Sequence, residues 1–332
     1  MADCAFDVAG IGNAIVDVLS HADDAKLQAL GLSKGVMTLI DADQAEAIYA
    51  QMGPGVECSG GSVANSIAGL AALGGKGAYI GKVKDDQLGQ VFRHDLRTLG
   101  VAFDTAAGND GAATARCLIL VTPDAQRTMQ TFLGACVALG PDDIDETVIA
   151  NAQVTYLEGY LWDPPQAKEA FRKAARIAHE AGRKVALSLS DPFCVDRHRA
   201  EFLELLADHV DIVFANEAEI TSLYQTDFDS ALRLVRGHCD IAAITRSEKG
   251  SVVISGDQVV VQGAEPVSQV VDTTGAGDLY AAGFLYGLTQ GRDLGTAARL
   301  GGICAAEIIS HVGARPEANL AELVAATSFF TV

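Results

Sequence analysis

The chain has 332 residues, of which 49% are hydrophobic and 20% charged, so it can bury a sizeable core and is not a disordered chain. It carries 24 lysines and arginines against 43 aspartates and glutamates, a formal net charge of -19. This charge repels polyanions and anionic lipid, so we expect neither a nucleic-acid partner nor a membrane. We expect small-molecule partners, and an anionic one needs local donors that outweigh the overall charge.

Seven cysteines are scattered along the chain without a Cys-x-x-Cys pair. This spacing predicts free thiols in a reducing compartment rather than a disulfide framework or a zinc site. The N-terminal segment lacks a signal-type apolar core, and no apolar run is long enough to span a bilayer. We therefore expect a cytoplasmic protein, either a monomer or a homodimer.

Short β-branched runs alternate with stretches of helical spacing along most of the chain. In chain order, the predicted strands are FDVAGIG, GAYIGKV, VTYLEGY, KVALSLS and HVDIVFAN, followed by a hairpin over 251–261. The predicted helices cover 62–73, 166–181, 197–207, 277–288 and 293–310. This alternation predicts an α/β fold with a doubly wound, mostly parallel sheet and helices on both faces.

Two segments, 16–42 and 101–133, interrupt that alternation because they are rich in strand formers without helical spacing. Within the second, ATARCLILVT and RTMQTFL are expected to pair as strands. We predict that both segments form a small β lid. The large α/β domain would then comprise 1–15, 43–100 and 134–332.

The sharpest motif is DTTGAGD, residues 272–278, which precedes the helical run LYAAGFLYGL. The backbone N–H groups of Gly275, Ala276 and Gly277 can converge on one anion at the start of that helix. Asp278 would lie beside the anion, where it could take the proton from an attacking hydroxyl. A glycine-rich turn with an acid in the first helical turn is the simpler interpretation.

A second motif opens the helix predicted at residue 62. Gly60 and Gly61 allow a ligand to approach the backbone closely, and the amide of Asn65 needs a polar partner in an otherwise apolar helix. A helix start capped by Ser62 explains the same residues without a ligand.

The run GIGNAI after the first strand is similar to the start of a dinucleotide fingerprint, but Ile15 replaces the third glycine and no helical pattern follows. Asn13 and Asp17 could instead hydrogen-bond substrate hydroxyls. Two polar residues that cap a turn are the alternative.

Two further turns follow predicted strands. Asn216 and Glu219 have the spacing of a helix capping box, and could also organise Mg²⁺ and phosphates through water. The turn from Thr245 through Arg246 to Gly250 could cover a nucleotide, or could be a solvated charged turn.

The order of these motifs over nearly the whole chain resembles the ribokinase (PfkB) family of carbohydrate and nucleoside kinases. The resemblance implies a ribokinase-like fold with a β lid over the sugar, Asp278 as general base and Gly275–Gly277 around the transferring phosphoryl group. It implies a sugar site of Asn13, Asp17, Gly60, Gly61 and Asn65. It implies nucleotide contacts from Asn216, Thr245, Arg246, Gly250 and Thr273, with Glu219 holding Mg²⁺ through water.

Within the family, GNAIVDVLS, GGSVANSI, LSLSDPF and HVDIVFANEAEI are similar to the adenosine kinase branch. Arg127 matches a lid arginine that reaches the phosphates in that branch, and the aromatic residue on the base falls near Tyr160. Thr274 stands where animal members of the branch usually have asparagine. The resemblance also extends to K⁺, for which the carbonyl groups of Asp272 and Thr274 and the region of Gly313 are candidates.

The expected activity is ATP- and Mg²⁺-dependent phosphorylation of the 5′-hydroxyl of a nucleoside, adenosine first. A sugar kinase of the ribokinase or fructokinase type is the nearest alternative. A nicotinamide-dependent oxidoreductase that uses GIGNAI is a remote one, as is a nucleoside-binding regulator without catalysis.

Overall fold

A computed structural model describes residues 4–124 and 126–327. The strands are β1 (Phe6–Ile11), β2 (Ile15–His21), β3 (Met37–Leu39), β4 (Gly55–Gly60), β5 (Gly77–Ile80), β6 (Ala115–Val121), β7 (Arg127–Phe132), β8 (Ala152–Glu158), β9 (Lys184–Ser188), β10 (Ile212–Asn216), β11 (Ile241–Thr245), β12 (Ser251–Ser255) and β13 (Gln258–Gln262). The helices are α1 (Asp24–Ala29), α2 (Ala42–Tyr49), α3 (Ser62–Ala72), α4 (Gln87–Thr98), α5 (Glu146–Ala150), α6 (Pro165–Glu180), α7 (Pro192–Asp208), α8 (Glu217–Tyr224), α9 (Phe228–Val235), α10 (Ala276–Thr289), α11 (Leu294–Ile308) and α12 (Leu320–Ala326).

The large sheet has eight strands in the order β13-β12-β11-β10-β9-β8-β1-β5. The six strands from β11 to β5 in that order pair in parallel, whereas β12 and β13 add an antiparallel hairpin at one edge. The predicted α/β class and the predicted hairpin are therefore confirmed.

Helices cover both faces of this sheet, because successive side chains of a strand point to opposite sides. From β1, Ile11 joins an apolar cluster that includes Phe171 of α6. Val8 of the same strand joins the cluster on the other face, with Ile67 of α3 and Phe284 of α10. This two-sided burial explains why the strands read as nearly continuous apolar runs.

β1 has β5 on one side and β8 on the other, so the chain order reverses at this point of the sheet. In open α/β sheets, ligands bind outside the carboxyl ends of the strands at such a reversal. The residues that follow β1 and end β8 therefore occupy the place where the topology predicts a site.

The small sheet has five strands in the order β3-β7-β6-β2-β4, and β6 pairs antiparallel with β7 as predicted. It differs from the sequence-based boundaries in two ways. Its edge strand β4 lies within 43–100, which the sequence assigned to the large domain; β4 begins and ends at glycine and is too short to show alternation. Residues 101–108 lie outside the small sheet instead: Ala102 bridges to Ala78 of β5 in the large sheet, and Gly108 bridges to Lys84, which follows β5.

The seven cysteines, all of them within the described residues, are free thiols. Over 4–124 and 126–327, no helix has the length and apolar character needed to cross a membrane.

Candidate active site

Two helices begin at the carboxyl-end edge of the large sheet without a side-chain cap. α3 begins after Gly61 and α10 after Gly275, both glycines with positive φ. Among the helices of the described residues, only α6, which begins after Pro164, also lacks such a cap. At α10 the N–H group of Ala276 donates to the carbonyl of Thr273 within the turn, and at α3 that of Val63 donates to Glu158. The other N–H groups at these two helix starts have no side-chain cap, which is the arrangement by which helix N-termini bind anions.

Asp278 lies in the first turn of α10 and is held by the first turn of α3. Its Oδ1 accepts a hydrogen bond of 2.6 Å from the Ser62 hydroxyl, and its Oδ2 one of 2.9 Å from the Asn65 amide. Ser62 therefore binds the carboxylate rather than capping its own helix. Burial raises the pKa of Asp278, while these two hydrogen bonds act in the opposite direction. A raised pKa makes the ionised carboxylate a better proton acceptor.

Asn65 has an unused acceptor at this site. The side chain is 5% exposed, and its Oδ1 has no hydrogen-bond partner among the described residues. Since a buried polar atom without a partner is costly, the site is suited to a ligand that donates a hydrogen bond here, as a hydroxyl does.

A second carboxylate, Glu158 at the end of β8, orients the turn after β1. Its Oε1 accepts a hydrogen bond of 2.7 Å from the Asn13 amide, and its Oε2 one of 3.0 Å from the backbone N–H of Val63. Burial raises its pKa to about 7. Glu158 was not among the predicted site residues; the signal for it in the sequence is a lone carboxylate at the end of the apolar run VTYLEGY.

Asp17 lies on β2 of the small sheet and faces the same site. A Cβ atom at Gly60 would collide with its carboxylate, which explains glycine at that position. Burial raises the pKa of Asp17 to about 6; Arg315 and Arg127 lower it, and Asp278 raises it. The structure thus brings Asp17, Gly60, Asn13 and Asn65 together around Asp278, as the resemblance implies for a sugar site.

Arg127 of β7 is paired with Asp272, the residue that opens the anion-binding turn. Its Nη2 lies 3.0 Å from Asp272 Oδ2, which also accepts a hydrogen bond from the backbone N–H of Gly313. The other carboxylate oxygen accepts from the N–H and hydroxyl groups of Thr274. Arg127 therefore links the small sheet to the turn before α10.

Asn216 and Glu219 form a complete capping box at the start of α8. Both carboxylate oxygens of Glu219 accept from Asn216, one from the backbone N–H at 2.9 Å and one from the amide at 2.6 Å. The pKa of Glu219 is raised to about 7, mainly by burial and also by Asp191 and Asp278, while the hydrogen bond from the backbone of Asn216 lowers it. The capping interpretation is therefore correct. The Glu219 carboxylate is also close enough to the site for the charge of Asp278 to affect its pKa.

The candidate nucleotide turn lies at the end of β11. Arg246 donates a hydrogen bond of 2.9 Å to Glu217, and its guanidinium group stacks 4.0 Å from the centre of the Phe228 ring. Its backbone N–H donates to the carbonyl of Gly250, which closes the turn after Thr245. Thr273, the other predicted nucleotide contact near α10, is exposed just before that helix.

Tyr160 is the aromatic residue of its segment that reaches the surface. The residue is 38% exposed, and its hydroxyl donates to the carbonyl of Ser190. The neighbouring Trp162 is fully buried against Phe171 and Phe202. Of the two aromatic residues in Tyr160-Leu161-Trp162, only Tyr160 is available to a ligand.

Beside Asp17, the same face of the small sheet is apolar. Directly paired residues lie on one face, so the strand register defines rows across the sheet. The row of Asp17 contains Leu39, Thr131, Cys117, Asp17 and Cys58. The next row, farther from Gly60, contains Met37, Met129, Ile119, Leu19 and Val56 and is wholly apolar. The Asp17 carboxylate is thus followed by a surface suited to a flat apolar group.

The dinucleotide interpretation of GIGNAI is wrong. That fingerprint requires a helix immediately after the glycine turn, with its N-terminus on the pyrophosphate. Here β1 ends at Ile11 and β2 begins at Ile15, so a strand follows the turn.

Replacement of Gly61 by alanine should destabilise the protein and disturb the site. Gly61 has φ of 95°, and a Cβ atom there would collide with the carbonyl oxygen of Asn13. Gly74 is a matched control, because its φ is 89° and a Cβ atom would meet nothing within 4 Å. Gly74→Ala should cost about 1–2 kcal/mol from the backbone conformation alone. Denaturant titration should give a larger loss for Gly61→Ala; equal losses would contradict the close packing at Asn13.

Comparison with known proteins agrees with this geometry. The sequence model of the pfkB family carbohydrate kinases matches residues 33–320. The chain therefore belongs to the PfkB carbohydrate kinase family and is a phosphotransferase that acts on a hydroxyl group.

The similar proteins are named as kinases of different substrates. The structure of adenosine kinase from Sinorhizobium meliloti is 55% identical, with a TM-score of 0.90 over 97% of this chain and 99% of that one. A probable sugar kinase from Rhizobium etli CFN 42 is 51% identical, with a TM-score of 0.90 over 97% and 98%. Saccharomyces cerevisiae adenosine kinase is 28% identical over 332 residues, 91% of this chain and 94% of the yeast protein.

Proposed function

We propose that this kinase transfers the terminal phosphoryl group of ATP to the 5′-hydroxyl of a nucleoside, with adenosine as the preferred acceptor. The observation that carries the proposal is the apolar row of the small sheet beside Asp17. A free sugar has no group to place there, whereas a nucleobase does. The 55% identity to the Sinorhizobium adenosine kinase supports the same acceptor, although a neighbour of 51% identity is named a sugar kinase.

The order of the groups at the site suits a nucleoside. Asp278 and the uncapped start of α10 lie at one end, Asp17 follows, and the apolar row is the most distant from Gly60. The 5′-hydroxyl would meet Asp278, the ribose hydroxyls would donate to Asp17 and to the unpaired Oδ1 of Asn65, and the base would cover the apolar row.

The chemistry we assign to Asp278 is general base catalysis. Its carboxylate accepts the proton of the 5′-hydroxyl as that oxygen attacks the phosphorus in line. The first N–H groups of α10 hold the transferring group, so positioning and charge stabilisation provide most of the rate. Ser62 and Asn65 fix the direction of the carboxylate through their hydrogen bonds.

The residues at the site fit a magnesium ion that arrives with the nucleotide. Over the described part of the chain, no group of three or more His, Cys, Asp or Glu side chains is arranged to hold a metal ion. Mg²⁺ commonly binds through phosphates and waters with one or two carboxylates, and Glu219 is the candidate here. When bound, Mg²⁺ neutralises phosphate charge. For K⁺, the carbonyl groups of Asp272 and Thr274 remain the candidates.

An acceptor panel tests the proposal. ADP release should be measured with Mg²⁺ and ATP for adenosine, inosine, guanosine, ribose and fructose. We expect adenosine to have the highest kcat/KM, since only a nucleoside covers both Asp17 and the apolar row. A higher kcat/KM for ribose or fructose would overturn the nucleoside assignment and favour the sugar kinase alternative.

A further inference from the structure

Arg315 is a charged side chain at the site that the mechanism above does not use. It lies in the segment between α11 and α12. Its Nη1 donates a hydrogen bond of 3.0 Å to the carbonyl of Ala64, and its Nη2 donates to the carbonyl and the hydroxyl of Ser59 at 2.8 and 2.9 Å. One guanidinium group thus forms hydrogen bonds to both β4 and α3.

The two partners of Arg315 flank the joint between the sheets. Ser59 lies in β4 of the small sheet, and Ala64 lies in the first turn of α3, which packs on the large sheet. Only Gly60 to Val63 separate them. The backbone N–H of Ser59 also donates to Asp95 of α4 at 2.8 Å, so β4 is fixed on a second side. Two glycines alone would leave this joint free to bend; Arg315 restrains it.

Arg315 also places a positive charge beside the carboxylates of the site. The Asp17 carboxylate lies against Gly60, the residue next to the Ser59 that Arg315 binds. At this distance the Arg315 charge interacts with Asp17 and Asp278, as well as with Cys58 and Asp95. For Asp17, Arg315 is the largest effect that opposes burial. The charged groups that act on Asp17 are Arg315 from the C-terminal segment, Arg127 from β7 and Asp278 from α10. The thiols of Cys58 on β4 and Cys117 on β6 are its paired neighbours in the small sheet, and the Asp17 charge raises the pKa of both.

We infer that Arg315 is a positioning residue: it fixes the joint between the small sheet and α3, and its charge keeps the Asp17 carboxylate in the form that accepts hydrogen bonds. The inference rests on the proposed function for its kinetic consequences, but the structural coupling between Arg315 and Asp17 can be measured without activity. It gives the C-terminal segment a role in acceptor binding.

The kinetic test uses the full chain and three variants. In Arg315→Gln, Asp17 loses its main positive neighbour, so the acid limb of kcat/KM for the best acceptor should move up by about one pH unit. Arg315→Lys keeps the charge but cannot bridge Ser59 and Ala64 in the same way. The pH of the acid limb of kcat/KM should therefore be unchanged, while KM rises. Arg93→Gln is the control, because Arg93 also donates to a backbone carbonyl, that of Thr105, away from the site.

A double-mutant cycle on thermal stability tests the coupling itself. At pH 8, Arg315→Gln should lower the Tm more in the parent protein than in an Asp17→Asn background, where no buried carboxylate needs compensation. Equal Tm losses in both backgrounds, or an acid limb that does not move in Arg315→Gln, would overturn the inference. Absence of turnover by the parent protein with every acceptor would instead refute the proposed function, and the cycle would still decide the role of Arg315.

Discussion

Asp278→Asn is expected to lower turnover by about 10²–10⁴-fold while nucleoside affinity changes little. Asparagine keeps the size of the side chain, but it cannot take a proton from the attacking hydroxyl. The anion site is built from the backbone at the start of α10, which the substitution leaves in place. The comparison to make is calorimetric nucleoside affinity against kcat in the same variant.

A control separates general base catalysis from the stabilising effect of an acid near a helix N-terminus. Asp43 lies in the first turn of α2, so Asp43→Asn removes a first-turn carboxylate from a helix outside the site. This control should retain the parent kcat. If Asp278→Asn also stayed within a few-fold of the parent, Asp278 would be a helix-terminus residue and the proposed mechanism would be wrong.

Asp17→Asn should separate function from stability. Loss of a carboxylate that accepts from the ribose hydroxyls should cost about 1.5–3 kcal/mol of transition-state binding, roughly a 10–150-fold fall in kcat/KM. Ser20→Ala is a suitable control, because Ser20 lies on β2 but alternates to the other face and bonds to the carbonyl of Pro54. Unchanged kcat/KM for Asp17→Asn would remove Asp17 from the acceptor site.

The same substitution should stabilise the ligand-free protein at alkaline pH. The pKa of Asp17 is raised from 3.8 to about 6, so the folded protein binds this proton more tightly than the unfolded chain. Its favourable contribution is complete below pH 3.8 and is lost as the pH rises through about 6. Asparagine carries no such loss, so Asp17→Asn should gain Tm at pH 8 and gain less at pH 5. A lower Tm than the parent at pH 8 would contradict the burial of this carboxylate.

Most of the features that could be predicted from the sequence depend on local patterns of residues. The anion-binding turn and Asp278 are contiguous in the chain, so glycine spacing followed by a helical pattern was enough to place them at a helix N-terminus. The capping box of Asn216 and Glu219 is local in the same way. The alternation of strands and helices likewise predicted the layered sheet, because parallel strands buried on both faces are continuous apolar runs.

Contacts between distant parts of the chain could not be predicted in this way. Arg315 meets Ser59 across 256 positions, and Asn13 meets Glu158 across 145. No periodicity or spacing relates such residues, and an arginine after a helix or a glutamate at a strand end is ordinary by itself. The strand β4 was missed for a related reason: its place in the small sheet depends on pairing with β2, not on its own six residues.

The central claim is that the group phosphorylated is the 5′-hydroxyl of a nucleoside held between Asp278 and the small sheet. Its most direct test is transfer of label from γ-labelled ATP to adenosine and to 5′-deoxyadenosine, with the product separated by chromatography. We predict labelled 5′-AMP from adenosine and no labelled nucleoside from 5′-deoxyadenosine, although the latter should still compete for binding. Label in 5′-deoxyadenosine, or label only in an added sugar, would contradict the claim.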